Sequence, residues 1–267
     1  MRKLLIVVCA VFLFLGCEDV IDVDLNTSKP RLVIDARLEL LEDGSSRNTI
    51  LLTRSSGFFE EVNPLVEDAQ VFVVDGNGVN YTFLFNGNTE RYENTTLEIE
   101  NSLEYTITII DQNQTYQATQ KLATTVPLQD VEQKEVAGLD GFTQIVAYFQ
   151  DPAALGDNYL IQYTDLNNFE LSISDDEFIN GNRTPTSFFI EDLEPGTTIS
   201  LEIAGIDGQA FRFFETLIQQ TDAGGGGPFD TQPATVRGNV ININDRDQFP
   251  FGYFRVSQVF TVSYVSE

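Results

Sequence analysis

Short runs of β-branched and aromatic residues, each followed by a turn sequence, dominate this chain. Ala69–Val74 and Val79–Phe85, for example, flank Asp75-Gly76-Asn77-Gly78, where glycine supplies the positive φ angles of a tight hairpin turn. Closely spaced runs of this kind, without alternating helical segments, predict antiparallel strands packed as sandwiches. We therefore predict an all-β fold.

The predicted strands fall into two groups, separated near Pro127, because proline ends ladder pairing. We expect two consecutive β-sandwich domains of the immunoglobulin or transthyretin type, at 21–125 and 126–267. One segment, Ala210–Gln220, spaces its apolar residues as a helix does, and we interpret it as core packing. Ile21–Leu25 alternates and predicts a further strand. The other predicted strands are Leu32–Leu38, Thr49–Arg54, Ala69–Val74, Val79–Phe85, Leu103–Ile110, Thr115–Lys121, Val131–Val136, Thr143–Phe149, Tyr159–Thr164, Phe169–Ser174, Thr186–Ile190, Thr198–Ile206, Val236–Ile243 and Gly252–Val265.

The amino terminus has the pattern of a lipoprotein signal peptide. Leu4–Leu15 is an unbroken apolar run of 12 residues, too short for a bilayer that needs roughly 20. The run ends at Gly16-Cys17, and a small residue before cysteine is typical of the bacterial lipobox, although Phe14 stands where leucine is usual. We predict a signal peptide at 1–16, lipidation of Cys17 with palmitate-class chains, and a tether at 17–20. An uncleaved anchor or a soluble secreted product is the alternative.

Glu18 and Asp19 follow the cysteine directly. Acidic residues at this point resemble the export signal of Bacteroidota lipoproteins that reach the outer leaflet. We therefore predict a lipid anchor in the outer membrane with the body facing the cell surface. A body facing the periplasm is the alternative.

The composition excludes several function classes. The chain has 41 Asp+Glu against 15 Lys+Arg and no histidine. Histidine-dependent nucleophiles are thus excluded, and the net charge of −26 argues against nucleic acid as a partner. Paired carboxylates could hydrolyse glycosides, but among 41 acidic residues some pair always looks possible, so such a pair is no evidence for a glycosidase. We predict no enzyme, no cofactor and no metal.

Two oxygen-rich stretches raise the question of calcium. Asp175–Glu177 and Asn242–Asp247 supply carboxylates and amides, but neither has the spacing of a calcium-binding loop with a downstream glutamate. We interpret the first as a solvated acidic turn and the second as a hairpin loop.

Aromatic pairs outside the predicted strand interiors are candidates for a contact surface. Phe58 and Phe59 lie in a predicted loop between Gly57 and Pro64, and Phe249 and Phe251 flank Pro250. Exposed aromatic residues of this kind suit docking to a partner or sugar stacking, whereas packing at the sandwich ends is the alternative. Without Arg2 and Lys3, 13 basic residues oppose 41 acidic ones, so the mature chain carries −28 and favours a neutral or cationic partner surface.

Several short fragments occur in a characteristic order along the chain: Cys17 with Ile21–Leu25, Leu32–Ile34, Asp68–Val71, Tyr105–Ile109, Tyr116–Thr119, Asp175–Gly181, the predicted helix ending near Gln220, Gly224–Phe229, Gly238–Val240 and Gly252–Phe254. Their order resembles a family of Bacteroidota outer-membrane lipoproteins, domain of unknown function 4249. The resemblance implies a lipoprotein often encoded beside a TonB-dependent transporter, and hence an accessory that captures or delivers that transporter's substrate. The alternatives are a stand-alone adhesin or glycan-binding protein, and a structural envelope lipoprotein.

Overall fold

Strands make up most of the regular structure in the computed structural model, which describes residues 29–57, 62–139, 141–222 and 235–267. The helix α1 is Gly208–Asp222. The strands are β1 Leu32–Leu40, β2 Ser46–Arg54, β3 Gln70–Asp75, β4 Asn80–Asn86, β5 Arg91–Glu93, β6 Glu104–Asp111, β7 Gln114–Lys121, β8 Leu128–Glu135, β9 Phe142–Gln150, β10 Asn158–Thr164, β11 Phe169–Asp175, β12 Arg183–Glu191, β13 Thr198–Gly205, β14 Ile241–Asn242 and β15 Phe251–Val265. The predicted all-β sandwich fold is confirmed.

The first sandwich is one hydrogen-bonded ladder, in the order β15-β1-β2-β5-β4-β3-β6-β7-β14, that folds over on itself. Alternate residues of its strands point inwards, as the period of two requires. Ile34 of β1, Val73 of β3 and Ile107 of β6 are all fully buried in the same core. The two layers are thus closed around one apolar interior.

The second sandwich packs the order β11-β10-β13-β15 against a separate three-stranded sheet, β12-β9-β8. Its core brings Phe149 of β9 and Phe188 of β12 against Tyr159 and Tyr163 of β10. Pro185 lies in β12, which is an edge strand and can therefore accommodate a residue without an amide donor.

Strand β15 belongs to both sandwiches. Its first half pairs in parallel with β1, and its second half pairs antiparallel with β13. Phe254 accordingly lies in the first core, whereas Phe260 packs on the second. The domain boundary between 125 and 126 stays a prediction, but β15, which follows that boundary in the chain, pairs with strands of both sandwiches.

Helix α1 covers the outer face of the second sandwich, in agreement with its interpretation as core packing. The Asp207 carboxylate caps its start by accepting hydrogen bonds from the backbone N of Gln209 and Ala210 at 2.8 and 2.7 Å. Phe213 then packs in a third apolar cluster with Tyr253 of β15, their ring centroids 5.1 Å apart.

One predicted strand needs correction, and one observed strand was not predicted. The predicted strand Val236–Ile243 is wrong for most of its length, since only Ile241–Asn242 pairs as β14. Asn239 instead bonds through its side chain to both the backbone N and O of Phe254, at 2.9 and 2.7 Å. Strand β5 was not predicted, because three residues are too few to show a period.

The amino-terminal predictions lie outside the described residues. These are the signal peptide at 1–16, Cys17, the acidic pair after it and the strand Ile21–Leu25. Across the ranges that the structure describes, no helix has both the length and the apolar character needed to cross a bilayer.

Candidate functional site around Phe249

The loop between β14 and β15 positions Phe249. Asn242 is fully buried and anchors the loop, since its Oδ1 accepts from the backbone N of Asn244 and Asp245 at 2.9 and 3.1 Å. Asn244 Oδ1 in turn accepts from the backbone N of Thr115, at 2.7 Å. These amide and carboxylate groups shape the loop, but the hairpin interpretation is wrong, because β14 pairs with β7 and not with β15. Within the described ranges, no acidic residues group as metal ligands do.

Phe249 and Phe251 lie against each other in an edge-to-face arrangement. Their ring centroids are 5.8 Å apart and the interplanar angle is 84°. Both rings are half-buried, so they are less exposed than the sequence predicts, and their role as a contact surface stays a prediction. Phe58 and Phe59 lie outside the described residues.

Two guanidinium groups contact the ring of Phe249. The Cζ atoms of Arg31 and Arg237 are 4.0 and 3.8 Å from the ring centroid, within the range of a cation–π interaction. Arg31 Nη1 also donates to the backbone O of Phe249 at 3.0 Å and of Asp247 at 3.3 Å. The chain segment before β1 is thereby fixed to the loop before β15.

Two clefts flank Phe249, and cationic side chains line both. One has a volume of about 380 Å³ and is lined by Lys29, Arg31 and Arg54 together with glutamine side chains. The other, of about 210 Å³, is lined by Arg237 and Arg246. No aspartate or glutamate lines either cleft among the described residues, so these five cations lie together in a protein with a net charge of −26. Sequence reasoning missed this cluster because its members are far apart in the chain.

Two glycines allow the backbone to pack tightly behind this loop. Gly252 has a φ of +91°, and a Cβ there would overlap the carbonyl oxygen of Ile34 in β1. A Cβ at Gly238 would overlap the carbonyl oxygen of Gly252 itself. The fragments Gly238–Val240 and Gly252–Phe254, which carry the family resemblance, are thus in direct contact.

The acidic turn at Asp175–Glu177 is less solvated than the sequence predicts. Asp176 is buried, and its carboxylate accepts from the backbone N of Gly156 and Asp157 at 2.6 and 3.1 Å. Burial, reinforced by the neighbouring carboxylates of Asp151 and Asp176, raises the pKa of Asp157. The turn therefore ties two loops of the second sandwich together.

Exposed apolar side chains project from the loops of the second sandwich. Leu166 and Phe178 are 92% and 86% exposed, and Leu155 is similarly accessible. The sequence does not single out the two leucines, because an isolated leucine in a loop has no distinguishing pattern.

Residues 18–263 match the family model described as Domain of unknown function (DUF4249). The chain belongs to the DUF4249 family. The family predicted from the sequence is thereby confirmed. No curated protein matches this DUF4249 chain closely in sequence.

Several solved structures show a weak similarity to this DUF4249 protein. A cytokine receptor complex is 14% identical, covers 66% of this chain and 86% of its own, and gives a TM-score of 0.25. A two-domain fibronectin type III segment of chicken tenascin is 13% identical, with coverages of 68% and 93% and a TM-score of 0.21. The chicken interferon gamma receptor alpha chain is 12% identical, with coverages of 67% and 90% and a TM-score of 0.22. These TM-scores are low, and no functional inference follows from them.

Proposed function

We propose that this DUF4249 protein is a lipoprotein anchored through Cys17 in the outer membrane and facing the cell surface. The observation that carries this proposal is the apolar run Leu4–Leu15 ending at Gly16-Cys17. The family match supports it, since the matched region begins at residue 18, directly after the cysteine that would be lipidated. Two or more acyl chains hold a protein stably at a membrane, where a single chain is marginal.

The proposed role is that of a non-enzymatic accessory to a TonB-dependent transporter, capturing or delivering the transporter's substrate. Lys29, where the described body begins, is only 12 positions after Cys17, and a segment of that length spans roughly 40 Å at most. Anchoring in the same membrane confines the body to the layer in which the transporter lies and so raises its effective concentration there. Weak contacts then suffice for function.

The exposed loops of the second sandwich are the proposed contacts with the transporter. Leu166 and Phe178 are large apolar side chains almost fully open to solvent, and aromatic and aliphatic anchors of this kind dominate many interfaces. Glu39 and the buried Asp151 and Asp176 are engaged in hydrogen bonds within the fold, which favours structural rather than catalytic tasks for these acids.

Affinity purification in mild detergent tests the accessory role. The tagged wild-type chain should recover a β-barrel partner in stoichiometric amount, and a Leu166→Ser, Phe178→Ser double variant should recover much less while remaining lipidated. A Leu84→Ser variant is the matched control, because Leu84 is an exposed leucine of the first sandwich. Recovery of the lipoprotein alone would instead favour the adhesin or structural alternatives.

A further inference from the structure

The cationic cluster lies at the end of the molecule where the membrane tether joins the body. Lys29 lines the larger cleft and is also the first described residue after the proposed lipidation site. The first half of β15 begins at the same end, at Phe251. Because β15 has 15 residues, its other end is roughly 45 Å away, in the second sandwich. We refer to Lys29, Arg31, Arg54, Arg237, Arg246 and Phe249 as the basic end.

The charge of the basic end is opposite to that of the chain as a whole. Arg54 is paired with Asp111, and the carboxylates of Asp245 and Asp247 lie in the adjacent loop. Arg237 and Arg246, by contrast, are solvent-exposed and have no ion-pair partner among the described residues. Among the described residues, the five cations outnumber the three acids nearby, whereas the whole sequence has 41 acidic and 15 basic residues.

We propose that the basic end is a docking surface for the phosphate groups of anionic lipids in the membrane that anchors the chain. This proposal rests on the lipid anchoring proposed above. Guanidinium groups bind phosphate through paired hydrogen bonds, and half-buried aromatic rings suit the head-group layer of a membrane. The surface can reach the lipid, because at most roughly 40 Å of chain separates Lys29 from Cys17.

Docking in this way fixes the orientation of the molecule. The strongly acidic remainder is repelled by an anionic surface, and this repulsion decays over a Debye length of about 8 Å at physiological salt. Turning the basic end towards the head groups therefore lowers the electrostatic energy of the whole body. The exposed Leu166 at the far end of the second sandwich then points away from the head groups, so it can contact only those parts of the transporter that extend beyond the membrane.

A lipid surface fits these observations better than an acidic protein partner does. Whatever protein is present, at most roughly 40 Å of chain separates Lys29 at the basic end from the proposed lipid anchor, and cationic side chains line both clefts there. The electrostatic preference for a neutral or cationic partner, inferred from the net charge alone, holds for the rest of the surface and is reversed here.

The test uses residues 18–267 held on vesicles by an amino-terminal histidine tag and a nickel-chelating lipid, which replaces the lipid on Cys17. The three described cores are built from residues between Leu32 and Tyr264, so this chain keeps them. It has no cysteine, because both cysteines lie in residues 1–17. A fluorophore can therefore be attached at one chosen position, either Gln248→Cys at the basic end or Leu166→Cys at the far end.

Quenching by a head-group-attached quencher then reports which end lies on the membrane. On vesicles containing phosphatidylglycerol, we expect at least threefold stronger quenching at position 248 than at 166. The difference should fall to near unity on pure phosphatidylcholine or in 0.5 M salt, where the Debye length is only about 4 Å. Equal quenching at the two positions on the anionic vesicles would overturn the proposal.

Charge reversal separates lipid docking from simple tethering. An Arg237→Glu, Arg246→Glu variant should lose the preferential quenching at position 248, whereas Lys121→Glu with Lys134→Glu, at exposed lysines elsewhere, should retain it. Both variants should melt within a few degrees of the parent. Retained quenching in the arginine variant, or cross-linking of position 248 in cells to a transporter rather than to lipid, also contradicts the proposal. Because the nickel tether replaces the lipid, a negative result here leaves the lipidation of Cys17 to be judged separately.

Discussion

Glu39 of β1 and Arg255 of β15 form an ion pair whose side chains are only 1% and 7% exposed. Arg47 of β2 extends this pair, because its Nε binds Glu39 and its Nη2 reaches Glu202 of β13 at 2.7 Å. Strands of both sandwiches are thus tied together by one charge cluster. Removing Glu39 therefore leaves the buried Arg255 without its ion-pair partner.

Replacing Glu39 by glutamine should strongly destabilise the protein. The amide keeps the volume but leaves Arg255 uncompensated, so we expect a loss of about 3–5 kcal/mol in the free energy of unfolding, measured by urea denaturation. The control is Glu104→Gln, which removes an exposed pair with Lys121 and should cost less than about 1 kcal/mol. Equal losses in the two variants would mean that the buried pair contributes no more than a surface one.

The same cluster predicts that stability falls in acid. Burial alone would raise the pKa of Glu39, but Arg255, Arg47 and Arg37 together outweigh it and lower that pKa below the ordinary 4.5. The unfolded chain therefore binds the proton more readily, so this stabilisation is complete above about pH 5 and is lost as the pH falls through the lowered pKa. Burial would likewise raise the pKa of Asp35, but Arg37, Arg255 and Arg91 together lower it below its ordinary value. Urea midpoints between pH 7 and pH 3 should fall, and Glu39→Gln should show a shallower decline than the wild type.

Gly252→Ala should disrupt the packing behind the Phe249 loop. The methyl group of the alanine meets the backbone of Ile34, and the alanine must also adopt a positive φ. We therefore expect a loss of roughly 3 kcal/mol in the free energy of unfolding. Gly44 has a similar φ of +83° with nothing near the position of a Cβ, which makes Gly44→Ala the control for backbone strain alone. Its expected cost is about 1 kcal/mol, and thermal melts that rank the two variants the other way would contradict the predicted clash.

Cys17→Ser should prevent acylation and leave an unprocessed precursor. Metabolic labelling with a palmitate analogue, read on a gel, measures both effects in one experiment. Cys9→Ser is the matched control, because Cys9 lies inside the apolar run and its loss should leave labelling of the mature chain unchanged. Undiminished labelling of the Cys17 variant would place the lipid elsewhere.

Replacing Glu18 and Asp19 by alanine should keep the protein on the periplasmic side. Protease added to intact cells should then degrade the wild type but spare the double variant, whereas both should be digested after lysis. Glu42→Ala with Asp43→Ala makes the same charge change on an exposed part of the body and should not alter export. A wild type that resists protease in whole cells, yet is cut after lysis, would contradict surface display.

Local patterns predicted most of the strands, because the alternation of apolar and polar residues that marks a strand is visible within a few residues. Val71 and Val73 alternate with less buried neighbours in β3, and the same alternation marks β6 and β7. The pattern failed at Val236–Ile243, where Asn239 bonds to Phe254 through its side chain and takes the place of a ladder. Hydrophobic composition there resembles a strand, but the close approach of Gly238 to Gly252 prevents regular pairing.

The sequence by itself determined the all-β class, the helix near 210–220 and the family of this protein, since period, turn chemistry and fragment order are written along the chain. Only the tertiary structure decided that β15 joins both sandwiches and that Glu39 meets Arg255. It also decided that Arg31 and Arg237 meet on Phe249, although Arg31 and Phe249 are 218 positions apart. Such contacts depend on which strands pair across the fold, and strand pairing is set by packing of the whole core rather than by any local run of residues.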